Sequence, residues 1–368
     1  MTMSKIISIG TAVPKYKTGQ KNILEFMCTA YKDVTAARKL KILSHQSGIE
    51  TRYSVVPDFG DPGADDAFFT VGDSVPKIEE RLGKFKENAV YLAVEAIEDS
   101  MRKGNTTVAE FEITHLITVT CTGIYAPGLD SVLVERLNLP DDTFHTAVNF
   151  MGCNAAFHAL KLGDMIARTD VNAKVMIVCV ELCTLHFQAK NNHDNLLSNS
   201  IFGDGAAAVA IISDTEAKMN PRAGLMINGF YSLLLSKGKD LMSWDITPLN
   251  FEMVLDAKVP ELIGQEVNEI VLKAGRKLGV LPGKIDKWAI HPGGKKILDI
   301  LKKQLKLRDT DMQYSYKVLA EYGNMSSPTI LFVLNEILNA GHRPEEKIFS
   351  IGFGPGLNIE TALFTYDE

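Results

Sequence analysis

Three residues able to do chemistry stand at matching places in two stretches of this 368-residue chain that follow one plan. Cys153 lies in Met151-Gly152-Cys153-Asn154-Ala155-Ala156-Phe157, at the start of a helix-patterned run. Asn324 lies in Gly323-Asn324-Met325-Ser326-Ser327-Pro328, which also leads from a glycine into an apolar run, Thr329 to Leu338. Glu181 follows Cys153 by 28 residues, past the strand-like 174–179, and Gly352 follows Asn324 by the same 28, past the strand-like 347–351. Upstream, Cys121 closes an apolar run 32 residues before Cys153, and His291 closes Trp288-Ala289-Ile290 33 residues before Asn324. Strand, turn, polar residue, helix and strand therefore recur with an offset of about 171. A duplicated fold sets equivalent positions around a pseudo-twofold axis, so a thiol, an imidazole and an amide are expected at one centre. A cysteine at a helix start gains from the helix dipole and unpaired N–H groups, which favour a thiolate nucleophile over a small core residue. His291, before Pro292-Gly293-Gly294, suits a ligand site. Asn324 can donate its amide to an oxyanion, a role beyond simple helix capping.

The elements that must position these groups alternate. Strands are expected at 6–9, 116–120, 174–179, 206–212, 224–231, 287–290, 347–352 and 358–366. Helices are expected over 20–44, 79–103, 129–137, the Cys153 run, 260–279, 294–305 and 326–339. The acidic, turn-rich stretch 58–66 reads as a surface excursion. The Cys153 run is apolar nearly all round, as in a buried central helix. Short β-rich runs without strict alternation suit strands covered on both faces. The expectation is an α/β fold of two duplicated halves, residues 1–217 and 218–368, divided in the polar stretch from Ser213 to Pro221.

Bulk composition narrows the function. With 46% hydrophobic and 23% charged residues the chain is an ordinary globular one. A net charge of −6 gives no electrostatic reason to expect nucleic acid. No apolar run reaches the ~18–20 residues of a membrane span, and the short N-terminal run 6–9 reads as a first strand, not a signal-peptide core. Five cysteines without framework spacing suit reduced thiols and a cytoplasmic setting. Cys179 and Cys183 lack the second pair a zinc site needs, so no metal is expected.

Four motifs then carry a resemblance over nearly the whole chain. Gly352-Phe353-Gly354-Pro355-Gly356-Leu357-Asn358, Glu321-Tyr322-Gly323-Asn324-Met325-Ser326-Ser327, Ile290-His291-Pro292-Gly293-Gly294 and Phe202-Gly203-Asp204-Gly205-Ala206-Ala207 resemble, in order, those of chalcone and stilbene synthases, the type III polyketide synthases. The resemblance implies a thiolase-like five-layer αβαβα fold and a homodimer. It implies a cofactor-free enzyme that condenses malonyl-CoA onto an acyl-CoA starter. Cys153 would carry the acyl group, and His291 and Asn324 would stabilise the malonyl-derived enolate and the transfer oxyanion. Phe202 and Phe251 match the family's gatekeeper phenylalanines. Ser326, Gly354 and Pro355 belong with the cavity. Arg38, Lys39 and Lys41 fall near the family's CoA-phosphate patch, but Ile42 and Gln46 stand where further basic residues are expected, so a solvated helix face is equally open.

Departures bear on the substrate. Cys121, Cys183 and His186 stand where plant relatives line the cavity with threonines, and Ala126 replaces a methionine. The strings around Cys121 and Cys183 look like microbial members, many of which take fatty acyl starters. The expected product is an alkylresorcinol or alkylpyrone. The alternatives are a ketoacyl-synthase III acting once with acyl carrier protein, and a non-catalytic acyl-CoA-binding protein.

Overall fold

The computed structural model describes residues 2–69, 75–220 and 222–368. Met1 and Pro221, the last residue of the polar boundary stretch, lie outside them. The chain begins β1 (Ser4–Ala12), β2 (Tyr16–Gly19), α1 (Gln20–Tyr31), α2 (Val34–Gln46), β3 (Thr51–Ser54), α3 (Ile78–Lys103) and α4 (Val108–Phe111). It continues β4 (His115–Thr120), α5 (Leu129–Arg136), β5 (Phe144–Asn149), α6 (Ala155–Thr169), β6 (Val175–Leu182), α7 (His193–Ile201), β7 (Asp204–Ser213) and α8 (Asp214–Met219). Then come β8 (Gly224–Leu234), β9 (Met242–Ile246), β10 (Phe251–Leu255), α9 (Val259–Leu278) and β11 (Lys287–Ile290). The chain closes with α10 (Lys295–Leu305), α11 (Asp309–Tyr322), α12 (Thr329–Leu338), β12 (Lys347–Gly354) and β13 (Asn358–Asp367).

Nine strands form one sheet in the order β11-β12-β13-β8-β1-β7-β6-β4-β5. The order mirrors itself about the β8/β1 seam. On one side β1-β7-β6-β4 pair antiparallel, antiparallel and parallel, and on the other β8-β13-β12-β11 do the same. The seam itself is short and antiparallel, from Ser4–Ile227 to Ile6–Leu225. The first half carries a further strand, β5, at one edge of the sheet.

Period-two alternation explains the layering. On β6, Met176, Val178 and Val180 join α3 in one cluster, while Val175, Ile177 and Cys179 join α6 and α12 in a second. On β12, Phe349, Ile351 and Phe353 face α9 and α10 in a third, while Ile348 turns to the middle. Helix, one half of the sheet, central helix pair, the other half of the sheet and helix thus make the thiolase-like αβαβα sandwich. Each fully buried Leu, Ile or Phe in it stabilises by about 1.5–3 kcal/mol.

Several elements differ from the sequence reading. The stretch 20–44 is two helices, because Lys32 adopts left-handed backbone and Asp33 caps α2 by accepting from the N–H groups of Thr35 and Ala36. The excursion at 58–66 is buried at its head: Asp58 accepts from the N–H groups of Phe68 and Phe69, and Phe59 joins the core. The last central helix starts at Thr329, since Ser326 holds a left-handed φ of 58°. Its partner α6 is not covered all round, for Met165 is exposed.

Candidate active site

Gly152 brings the first functional group into place. Its φ of +79° turns the chain sharply after β5, and a Cβ there would lie 2.1 Å from Pro355 Cδ. Its N–H donates to Cys121 Sγ at 3.0 Å. Cys153 follows in a single 3₁₀ turn ahead of α6 and is 7% exposed. Burial pushes its thiol up to about 11, against hydrogen bonds from the Ser326 and Asn324 side chains that favour the thiolate. The lowered thiol value expected of a cysteine at a helix start is therefore not what the site provides, because desolvation outweighs both donors.

His291 leaves the end of β11, with its N–H on Ile351 O at 2.9 Å. Ser315 Oγ brackets the preceding residue, donating to Ile290 O and accepting from Ile290 N–H. The imidazole is 1% exposed, neither ring nitrogen has a partner among the described residues, and burial drives it down to about 3. A buried imidazole with both nitrogens open is a group held ready for something absent from the protein itself.

Asn324 is oriented by its own turn. Its Oδ1 accepts from Ser326 N–H at 2.8 Å, so the carbonyl end is engaged and the NH₂ end remains a donor. That NH₂ makes one long contact of 3.5 Å with Gly293 O. The backbone of Asn324 bridges to Phe202: Asn324 N–H donates to Ile201 O at 2.9 Å, and Gly203 N–H to Asn324 O at 3.0 Å. The Asn324 side chain acts on Cys153 by favouring its thiolate, and Gly293 ties Asn324 to the His291 turn.

Two hollows flank the Phe202–Asn324 bridge. The first is a cavity of about 730 Å³ including its open mouth. Cys121, Cys183, His186, Phe202, Phe251, Ser326 and Pro355 all line it. Gly354 does not; it lies against Asn154, whose amide a Cβ would strike at 2.3 Å. His186 is more than a wall residue. Its Nε2–H donates to Thr122 O at 2.8 Å and its Nδ1 accepts from Phe251 N–H at 3.0 Å, partners that assign the tautomer. The ring also stacks on Phe251 at 4.5 Å and 10°, and burial lowers it to about 3. Trp244 completes this corner by donating its Nε1–H to Cys121 O at 2.7 Å.

The second hollow lies across the bridge, lined by Ser200, Ile201, Gln46, Gly293, Lys295 and Lys296 among others. Arg38, Lys39 and Lys41 are exposed on α2 and do not line it. Lys39 donates to Asn191 Oδ1 at 3.4 Å. The lysines that do line it, at the start of α10, were missed because their spacing signals only an amphipathic helix. Glu181 was also missed as a working group. Fully buried, it accepts from Cys121 N–H, Thr122 Oγ1 and Ser327 Oγ at 2.9, 2.8 and 2.7 Å, tying the two halves together beneath the site. Desolvation raises its carboxyl. Among the described residues no cluster of three or more His, Cys, Asp or Glu side chains is placed to hold a metal ion.

Models of the chalcone and stilbene synthases match the chain over residues 2–215 for the N-terminal domain and 232–366 for the C-terminal domain. The chain belongs to the chalcone and stilbene synthase family. It is thus a type III polyketide synthase, an acyltransferase that forms carbon–carbon bonds. The polyketide synthase-like Pks18 of Mycobacterium tuberculosis, named for alpha-pyrone synthesis, is 30% identical over 99% of this chain and 91% of its own. The 3,5-dihydroxyphenylacetyl-CoA synthase of Streptomyces toyocaensis is 29% identical over 98% and 89%. Among solved structures, PKS-I of the brown alga Ectocarpus siliculosus superposes with a TM-score of 0.93 at 26% identity, covering 100% of this chain and 99% of that one. The type III domain of Steely1 from Dictyostelium gives 0.88 at 26%, covering 99% of each. Among the described residues no helix of this synthase is long and apolar enough to cross a membrane.

Proposed function

We propose that the synthase extends a long-chain acyl starter by repeated decarboxylative condensation with malonyl-CoA and cyclises the product to an alkylpyrone or alkylresorcinol. The observation that carries this is a buried thiol favoured as thiolate by the Asn324 side chain, with Asn324 in turn contacting the Gly293 carbonyl of the turn after His291, and a cavity and a lysine-flanked hollow on either side of the Phe202–Asn324 bridge.

In this reading Cys153 passes its proton to His291. Burial opposes a lone charge on either group, but the thiolate–imidazolium pair is neutral overall. The thiolate attacks the starter carbonyl, the C–S bond to CoA breaks, and the departing CoA thiolate recovers the proton from His291. Malonyl-CoA then loses CO₂, and the electron pair of the broken C–C bond becomes a thioester enolate stabilised by donors from His291 and the Asn324 NH₂. The enolate carbon attacks the Cys153 thioester, expelling the thiolate and leaving a β-ketoacyl-CoA, which reloads for the next round. These steps call on no resident cofactor or metal.

Lys295 and Lys296, with the α2 cations, would receive the CoA phosphates, while Phe202 and Phe251 gate the cavity. The halves divide at 217/218, and the enzyme works in the cytoplasm as a homodimer. The open edge of β5, where Phe144 is 70% exposed, supports the last point. Product analysis with malonyl-CoA and a panel of acyl-CoA starters tests the proposal: fatty acyl pyrones or resorcinols are expected. Turnover only with aromatic starters would overturn the starter class. A single condensation delivered to acyl carrier protein would overturn the iterative reading.

A further inference from the structure

Arg52, in the middle of β3, is 4% exposed and lines the cavity, yet the condensation chemistry above makes no use of it. Its stem lies against two glycines of the motifs: a Cβ on Gly323 would fall 2.9 Å from Arg52 Cδ, and one on Gly203 3.5 Å from its Cβ. Both glycines thus let the arginine lie flat beneath the turn that carries Asn324. Its Nη1 donates to Asn199 O at 2.8 Å and to Phe202 O, closing the C-terminal end of α7. The Phe202 carbonyl and the Gly203 N–H belong to one peptide plane. The guanidinium grips that plane on its carbonyl side, while its N–H side holds Asn324 O at 3.0 Å. The plane is thereby fixed between Arg52 and the residue whose amide reaches Cys153.

A purely structural explanation is weak. Burying a guanidinium is costly unless it is well paired. The nearby carboxylate of Asp204 attracts Arg52 only at longer range, its oxygens being committed to Thr184 N–H, Thr184 Oγ1 and Val55 N–H at 2.8, 2.6 and 2.9 Å. Among the described residues, Arg52 Nε and Nη2 find no hydrogen-bond partner. An apolar side chain would fill this place at lower cost, but it could not hold the Phe202 carbonyl.

We propose that Arg52 is a positioning residue for the condensation step: by fixing the Phe202–Gly203 peptide it holds the Asn324 amide and the Phe202 ring as one unit. The proposal rests on the reading of Asn324 as the enolate donor. Loading of the starter on Cys153 rests first on the thiol and on His291 as base and oxyanion donor, with Asn324 only a second donor. Decarboxylative extension needs the amide within a fraction of an ångström of its working place.

The test compares full-length wild type with Arg52→Met, Arg52→Lys and Asn324→Ala in two assays. One reads the mass increase on Cys153 from a fatty acyl-CoA without malonyl-CoA. The other reads CO₂ release from malonyl-CoA and chain extension. In Arg52→Met, loading stays within about two-fold of wild type while extension falls on the order of ten- to a hundred-fold, as a displaced donor would cause. Arg52→Lys, which can still reach one carbonyl, recovers part of the extension. A proportional fall of loading and extension in a folded Arg52→Met, or no fall in either, overturns the proposal. Where Arg52→Met does not fold, the same split measured on Arg52→Lys decides. Normal extension in Asn324→Ala overturns the enolate-donor reading and this proposal with it. Loss in Asn324→Ala with wild-type behaviour in both Arg52 variants overturns this proposal alone.

Discussion

Gly152 and Gly323 both hold positive φ, +79° and +70°, immediately before Cys153 and Asn324. Each lets the chain leave its preceding element and point the next residue inward. Neither has room for a side chain, since a Cβ would meet Pro355 Cδ at 2.1 Å in one case and Ile201 O at 2.7 Å in the other.

Gly152→Ala should therefore damage both stability and chemistry. The left-handed backbone alone costs about 1–2 kcal/mol for a residue with a Cβ, and the overlap with Pro355 adds to it. Denaturant unfolding should show at least that loss, and acyl loading on Cys153 should fall with it. An alanine variant as stable and as readily acylated as wild type would contradict the geometry.

His291 should govern the reactivity of Cys153. With the imidazole removed in His291→Ala, the thiol loses the group that would take up its proton, and burial opposes the bare thiolate. Iodoacetamide alkylation at pH 7 should slow by more than about ten-fold, with the inflection of its pH profile moved toward high pH. Equal profiles for wild type and variant would rule out a proton-sharing pair.

The strut formed by His186 makes two predictions from one substitution. In His186→Thr the buried Phe251 N–H loses its acceptor, which costs about 1–3 kcal/mol, and the cavity gains room beside the Phe251 ring. Unfolding measurements should show the loss, and product profiles should shift toward bulkier starters or longer chains. The pH dependence has a definite sign. His186 is lowered to about 3 in the folded protein from an ordinary 6.5, so below 6.5 the unfolded chain takes up a proton that the folded one refuses. Its contribution is present above 6.5 and is lost as pH falls toward 3. His186→Thr should lose less stability than wild type between pH 7 and 5; an identical loss would refute the assignment.

Lys295 and Lys296 now engage Asp299 and Glu261 at 2.7 and 3.3 Å, pairs exposed enough to be worth at most about 1 kcal/mol and easily exchanged for phosphate. Lys295→Ala/Lys296→Ala should raise KM for malonyl-CoA several-fold, on the order of the loss of one or two charge-assisted contacts. The KM for a malonyl thioester of pantetheine, which has no phosphates, should not move. A larger effect from Arg38→Ala/Lys39→Ala/Lys41→Ala would return phosphate binding to α2.

Legibility from sequence followed the range of the forces involved. The β4–turn–α6–β6 and β11–turn–α12–β12 units are local: apolar runs, a turn glycine and a polar residue at fixed spacing announce them. β5 escaped notice because, as an exposed edge strand, it carries no inward–outward alternation to read. The breaks at Lys32 and Asp33 were hidden inside a continuous helical pattern.

By itself the sequence determined the α/β plan, the family and the candidacy of Cys153, His291 and Asn324, because periodicity and motif spacing are written along the chain. Only the tertiary structure decided how those residues are held. The Phe202–Asn324 bridge, the Arg52 grip on its peptide and the His186 strut to Phe251 each join residues more than sixty positions apart. The state of Cys153 was likewise decided by folding. Its place before a helix favours thiolate, but burial at the meeting of two halves opposes it more strongly, and desolvation is a property of the packed site that no local pattern records.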